Sequence, residues 1–360
     1  MSLPIEIPQG SALDRTFRVA GPLAVLALVV GLPYLVPSFR LGQVTAALIL
    51  AIAVVGLNLL SGFAGQISLG HAAFFGLGAY TTGVLQVHYG WSAPSTIVVG
   101  MVMAFVAGVL VGLPALRLRG MYLALVTLAV GVLFPSLIRR FDDLTGGATG
   151  LFGVDVTPPG IAYFSGHAGR TVWMYYVSIA GLALACLVVW NLMRGRIGRA
   201  VVALRDHETA AIVVGVNRAF VRTVVFGLSA ALASMGGSLY ALNVGILTPD
   251  SFSLLLTINL LVAMVLGGTA SYWGPIFGAF IIYFVPIWTA DAAQGPVAGA
   301  LFGVVVIIMV FTLPAGLAGG GKKLLSKVVV RSKPSMSGRA PMSGSADPDM
   351  GGRLNEPAGV

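Results

Sequence analysis

The chain has 360 residues, of which 57% are hydrophobic and only 9% charged. Soluble domains carry about 25% charged residues, so this composition, with a mean hydropathy of +0.95, excludes a soluble globular protein. The formal charge of +9 does not point to nucleic acid, because the Lys and Arg residues lie between and after apolar segments, where membrane topology accounts for them.

A helix crosses the hydrocarbon core in about 20 residues. Asp, Glu, Lys and Arg are absent from 41–116, 120–138, 171–193, 223–249, 251–290 and 292–321. Breaking these runs at Gly, Pro and polar clusters predicts ten helices, at about 18–36, 43–61, 68–88, 94–114, 120–138, 171–193, 222–245, 254–272, 275–291 and 296–314. The expected fold is an all-α polytopic transmembrane helical bundle over 18–316, with an N-terminal arm at 1–17 and a disordered Gly/Ser/Pro-rich tail at 317–360. Arg15 and Arg18 ahead of the first apolar run also fit a signal peptide. That run is long and no small-residue cleavage site follows it, which favours a first transmembrane helix.

The next distinctive stretch is 56–80, GLNLLSGFAGQISLGHAAFFGLGAY, which places Asn58, Ser61, Gln66, Ser68 and His71 among glycines that include Gly65 and Gly70. Backbone at membrane depth must be satisfied internally, so such a break survives only if it is buried in protein or lines a wet cavity. Broken transporter helices do this, and a short turn between two helices also fits. The part at 59–80 has a weak echo at 265–283, again an apolar helix, a Gly-rich polar break and a small-residue helix, as parallel internal repeats would give and as chance in a Gly-rich membrane protein would also give. The predicted midplanes otherwise hold neutral groups such as Asn58, Thr127 and Asn259. Ion-coupled carriers place charges there, so the energy is expected from another module.

Residues 139–170 form the long outer loop, either a partner-docking surface or a loose connection. The longest charged segment is 194–222, carrying Arg194, Arg196, Arg199, Arg205, Arg218 and Arg222 against only Asp206 and Glu208. Such a segment belongs in the cytoplasm, and it places both termini there as well. Within it, 206–214 is predicted helical, with Asp206 capping its start, Glu208 near the positive end of the helix dipole and Gly215 ending it. It reads either as a short helix that touches another protein or as a basic loop that only fixes topology.

Cys186 is the only cysteine, and His71, His88, His167 and His207 are scattered, so neither an internal disulfide nor a metal site is expected. The stretch 316–323, GLAGGGKK, falls short of a phosphate-binding loop: Lys323 replaces the final Ser/Thr, and a transmembrane helix precedes it instead of a strand. The pairs Gly108/Gly112, Gly274/Gly278 and Gly299/Gly303 have the spacing of helix-packing faces. Lys322, Lys323 and Lys327 are placed to meet anionic lipid.

Five stretches taken together resemble a known family: 56–83, RLRGMYLALVTLAVG at 117–131, LTGGATGL at 144–151, GRAVVALRDHETAAIVVGVN at 198–217 and MVLGGTASYWGPIFGA at 264–279. Their order is similar to the permease subunits of branched-chain amino-acid ABC importers, and to the M-type member of their H/M pair. The resemblance covers about 40–315 of the sequence. It implies a non-enzymatic subunit in the bacterial inner membrane, without a bound cofactor of its own. An H-type permease, two ATPase subunits carrying ATP and Mg, and an extracytoplasmic binding protein are the implied partners, together with the lipid bilayer. It implies that Arg205, Asp206, Glu208, Ala210, Ala211 and Gly215 form the ATPase-coupling loop. Substrate-pathway candidates are Asn58, Gly65, Gln66, Ser68, Gly70, His71 and Thr127. Many relatives carry an acid just after the TLAxG element, where this chain has Val132. Urea and short-amide importers use similar permeases, so the class is better defined than the substrate.

Overall fold

The computed structural model describes residues 5–6, 27–115, 121–156, 158, 166–292, 296–312, 316–317, 319 and 329–330. The chain divides into two units. In one, β1 (Ile5–Glu6) pairs in parallel with β4 (Val329–Val330). The other, Leu26–Leu325, is the helical body.

Each of the ten predicted apolar segments has a helical counterpart. They are α1 (27–35), α2 (Ser38–Leu57), α3 (His71–Tyr89), α4 (Ala93–Ala115), α5 (Met121–Arg140), α7 (Gly166–Arg194), α10 (Arg218–Val244), α11 (Leu254–Gly267), α12 (Gly274–Ala292) and α13 (Pro296–Thr312). Short helices α6 (Asp142–Thr145), α8 (Arg196–Asp206) and α9 (Glu208–Val213) lie between them. Among the described residues, six helices are long and apolar enough to cross a membrane. The expectations for the N-terminal arm, the 18–26 part of the first helix, the Arg117/Arg119 turn and Lys322, Lys323 and Lys327 lie outside the described residues.

Burial separates the inner helices from the outer ones. The apolar windows of α2 and α10 are 78% and 72% buried, against 28% for α4 and 33% for α5, α7 and α12. Helix α10 packs against α2, α3 and α4 along a face of small residues. A Cβ added at Gly237 would overlap the Phe75 carbonyl, and one added at Gly78 would overlap the Ser234 carbonyl. The backbones of α3 and α10 therefore touch. In a bilayer, where lipid is as apolar as leucine, that close approach and interhelical hydrogen bonds drive association. Two such bonds run from α10: Ser229 Oγ donates to the Gly56 carbonyl at 2.6 Å and Ser238 Oγ to the Gly78 carbonyl at 3.1 Å.

Two glycine pairs match the packing expectation. Gly108 and Gly112 face α10, and Gly274 and Gly278 face α11. A Cβ added at Gly299 or Gly303 would meet nothing within 4 Å, so that pair packs against no other element among the described residues.

The described part of 139–170 is folded against the rest of the body. Strand β2 (Leu151–Phe152) pairs antiparallel with β3 (Ile246–Leu247). Thr145 Oγ1 donates to the Ile138 carbonyl at 2.7 Å, and ion pairs join Arg139 to Asp250 and Arg170 to Asp155. Beneath this layer the fully buried Phe252 ring meets Phe75, Tyr80, Phe134 and Tyr240.

Candidate functional site at the two helix breaks

Helix α2 does not stop at Leu57. It widens into a π-helical turn, Asn58–Phe63, before the chain leaves helical geometry. Such turns interrupt the regular hydrogen-bond ladder and collect at functional positions. Gly65 then takes φ +67°, which a side chain rarely tolerates. Gly70 lies so close to the Thr127 carbonyl that a Cβ there would overlap it. Gly65 turns the chain out of helical geometry and Gly70 lets it pass close to α5, and α3 starts at His71 and not at 68 as predicted.

The freed backbone groups are met from distant elements. Leu69 N–H donates to Thr127 Oγ1 at 2.9 Å, and Thr127 Oγ1 donates to the Ala124 carbonyl at 3.0 Å. Ala72 N–H donates to Thr257 Oγ1 at 3.1 Å. Ser61 Oγ donates to the Gln66 carbonyl at 2.9 Å. Thr127 thus anchors α5 to the break. Thr127→Val is expected to strand the Leu69 N–H and cost about 1–2 kcal/mol. A lowered melting temperature of the purified protein checks this, and an unchanged one would refute the anchoring role.

The second break, 268–273 between α11 and α12, lies directly against the first. Buried Asn58 holds them together. Its Nδ2 donates to the Ser271 carbonyl at 2.8 Å, and its Oδ1 accepts from Ala270 N–H at 3.0 Å. Ala270 sits at φ +56°, an uncommon conformation for a residue with a side chain. Phe63 and Tyr272 add a ring contact across the same seam at 5.3 Å. The two segments that echo each other in sequence are therefore neighbours in space.

Three other pathway candidates carry buried polar atoms without a hydrogen-bond partner among the described residues: Gln66 Nε2, Ser68 Oγ and both ring nitrogens of His71. The His71 ring lies against the Ala53 carbonyl without closing a hydrogen bond of ordinary geometry. Orphaned buried groups are costly, and sites that hold them are suited to water or to a polar ligand. Among the described residues no Asp, Glu, Lys or Arg is buried.

The arginine-rich segment holds two helices where one was predicted. Helix α8 runs through Asp206, because Gly198, Val201 and Leu204 form its buried stripe at a three-residue spacing. Asp206 accordingly makes no N-terminal cap; it ends α8 and pairs with Arg205 at 2.9 Å. The chain breaks at His207, and α9 follows. Gly215, at φ +89°, ends this segment as expected. Glu208 opens α9, but its carboxylate turns to α10, meeting Arg218 Nη1 at 2.8 Å and Arg222 Nη2 at 3.3 Å. Ala211 is buried and Ala210 exposed. Past them, Val213 and Val214 are 87% and 81% exposed, and Ile212 is exposed too.

A family model described as branched-chain amino acid transport system / permease component matches residues 39–311. The chain belongs to that family. The match runs from α2 to α13, so the permease family covers both breaks and the α8–α9 segment. The high-affinity branched-chain amino acid transport system permease protein LivM of Escherichia coli K12 is 31% identical over 314 residues, 82% of this chain and 73% of that protein. The corresponding permease protein BraD of Pseudomonas aeruginosa is 21% identical over 286 residues, 75% of this chain and 91% of its own. The autoinducer 2 import system permease protein LsrC of Salmonella paratyphi B is 27% identical over 250 residues, 64% of this chain and 67% of its own. No solved structure matches.

Of the residues singled out in this permease sequence, Asn58 and Thr127 converge on the break through their hydrogen bonds. Arg205 reaches it as well, with Nη1 donating to the Gly62 carbonyl at 3.4 Å. Sequence reasoning did not pair Asn58 with Ala270 and Ser271, or Glu208 with Arg218 and Arg222, and it left Thr257 unremarked. It also missed the valine tip. The run IVVG at 212–215, apolar at the end of a charged segment, is the signal that could have found it.

Proposed function

We propose that this chain is one of two membrane-spanning subunits of an ATP-driven importer for branched-chain amino acids, and that it docks through α9 onto a separate ATPase subunit on the cytoplasmic side. The supporting observation is the α9 tip, where Ile212, Val213 and Val214 stand exposed on a segment otherwise rich in arginine. Apolar side chains in such a setting suit burial against a protein partner. ATP and Mg belong to that partner, and an extracytoplasmic binding protein delivers the substrate. The pathway runs past the two breaks, where neutral polar groups and helix ends hold a zwitterion weakly and release it quickly. A stand-alone ion-coupled carrier would need intramembrane charge. The neutral lining also suits an uncharged amide, so urea is the competing substrate.

The deciding experiment is uptake of radiolabelled leucine and urea by vesicles holding this chain with its candidate H-type permease, ATPase and binding-protein partners, omitting each in turn. Leucine uptake that disappears without ATPase or binding protein is expected. Uptake by this chain alone, abolished by collapsing the proton gradient, would overturn the reading, and ATP-dependent uptake of urea alone would correct the substrate.

Within this reading Glu208 fixes the angle of α9 and does not itself face the ATPase. Glu208→Gln removes one charge from a partly exposed two-arginine clasp, a loss of about 1–2 kcal/mol in the docking geometry, which corresponds to about a tenfold fall in uptake. Uptake equal to that of the unmodified assembly would show that the clasp is not needed.

A further inference from the structure

Arg205 links the arginine-rich segment to the first break by a hydrogen bond. It stands in the last turn of α8, just before the His207 joint that leads to α9. Its guanidinium is held on both sides. Nε pairs with Asp206 at 2.9 Å, and Nη1 donates to the Gly62 carbonyl. Gly62 lies near the end of the π-helical turn, where backbone carbonyls run out of intrahelical donors. A cation there satisfies a carbonyl and complements the negative end of the helix dipole.

The surroundings are shaped for that side chain. Gly65 leaves room for it: a Cβ at this position would sit 3.0 Å from Arg205 Cγ, and its φ of +67° disfavours any side chain. Asn58, at the start of the same π-helical turn, ties it to Ala270 and Ser271 of the second break. A continuous polar path therefore runs from α8 through Arg205, the π-helical turn and Asn58 to the second break.

We propose that Arg205 is a positioning residue for transport, transmitting movement of the α8–α9 segment to both helix breaks. A lysine at this place would keep a charge but lose the planar fork that allows one guanidinium to engage an acid and a carbonyl together. This inference rests on the ABC-permease reading above, since it needs an ATPase to move α9.

The test is made on the full assembly in proteoliposomes, measuring substrate moved and ATP hydrolysed in the same preparation for the unmodified chain, Arg205→Gln and Arg205→Lys. The expected result is that substrate moved per ATP falls about fivefold or more in Arg205→Gln, the lower range of ordinary coupling between sites, with partial recovery in Arg205→Lys. A ratio that stays constant while both rates fall would assign Arg205 to structure alone and overturn the proposal. So would failure of both variants to assemble with the ATPase. An unmodified assembly without ATP-dependent uptake would instead defeat the importer reading, and the two failures are thereby separated.

Discussion

Gly237→Ala should prevent stable folding of the body or lower its melting temperature sharply. The added carbon would overlap the Phe75 carbonyl, which belongs to the backbone of α3 and cannot rotate away. Accommodating it means separating α3 from α10, two of the helices that build the centre of the bundle. Overpacking costs about 1–3 kcal/mol in ordinary cores, and the top of that range is expected here because a whole interface must shift. The Ser238–Gly78 hydrogen bond would lengthen along with it. Gly299→Ala is the matched control, since nothing lies within 4 Å of that position and alanine favours helix by about 1 kcal/mol. Thermal unfolding of both purified variants is the measurement. A Gly237→Ala protein that melts with the unmodified one would contradict the close backbone contact.

Asn58→Leu should abolish uptake while the protein still inserts. Leucine is similar in size but leaves the Ala270 N–H and the Ser271 carbonyl unpaired at a buried seam, a loss of about 2–4 kcal/mol. Ala270 at φ +56° needs that support to stay in an unfavourable conformation. Asn58→Asp separates the two bonds. It keeps an acceptor for Ala270 N–H but turns an oxygen toward the Ser271 carbonyl, so it should be impaired to a similar extent. Uptake retained in Asn58→Leu would mean that the breaks hold their positions without this clamp.

The long helices are legible in the sequence because a bilayer demands one simple property over about 20 residues, and charge marks where that property ends. Their termini are less so. The break before α3 is extended by Gly65 and Gly70, whose roles depend on a positive φ and on the approach of Thr127, and neither is written in local composition. The echo between the two breaks is visible in the sequence, but their contact is not, because Asn58 finds partners 212 and 213 residues away. The α8–α9 division is a different case, missed although the signal is local: Gly198, Val201 and Leu204 form an inward stripe that carries a helix through Asp206. For Glu208 the helix dipole is the weaker influence, and the stronger is a pair of arginines in the first turns of α10.

The central place of α10 has a consequence for how the protein is made. Helices α2, α3 and α4 emerge from the ribosome well before α10, yet the small-residue face that fits between them arrives only with Arg218–Val244. Until then Gly56, Gly78 and Gly108 line an unfilled slot in the bilayer, with the Gly56 and Gly78 carbonyls still waiting for the serines that will bond them. The early helices can insert but cannot finish packing, so assembly of the body is largely post-insertional. Lipid is the solvent available to that slot until α10 arrives.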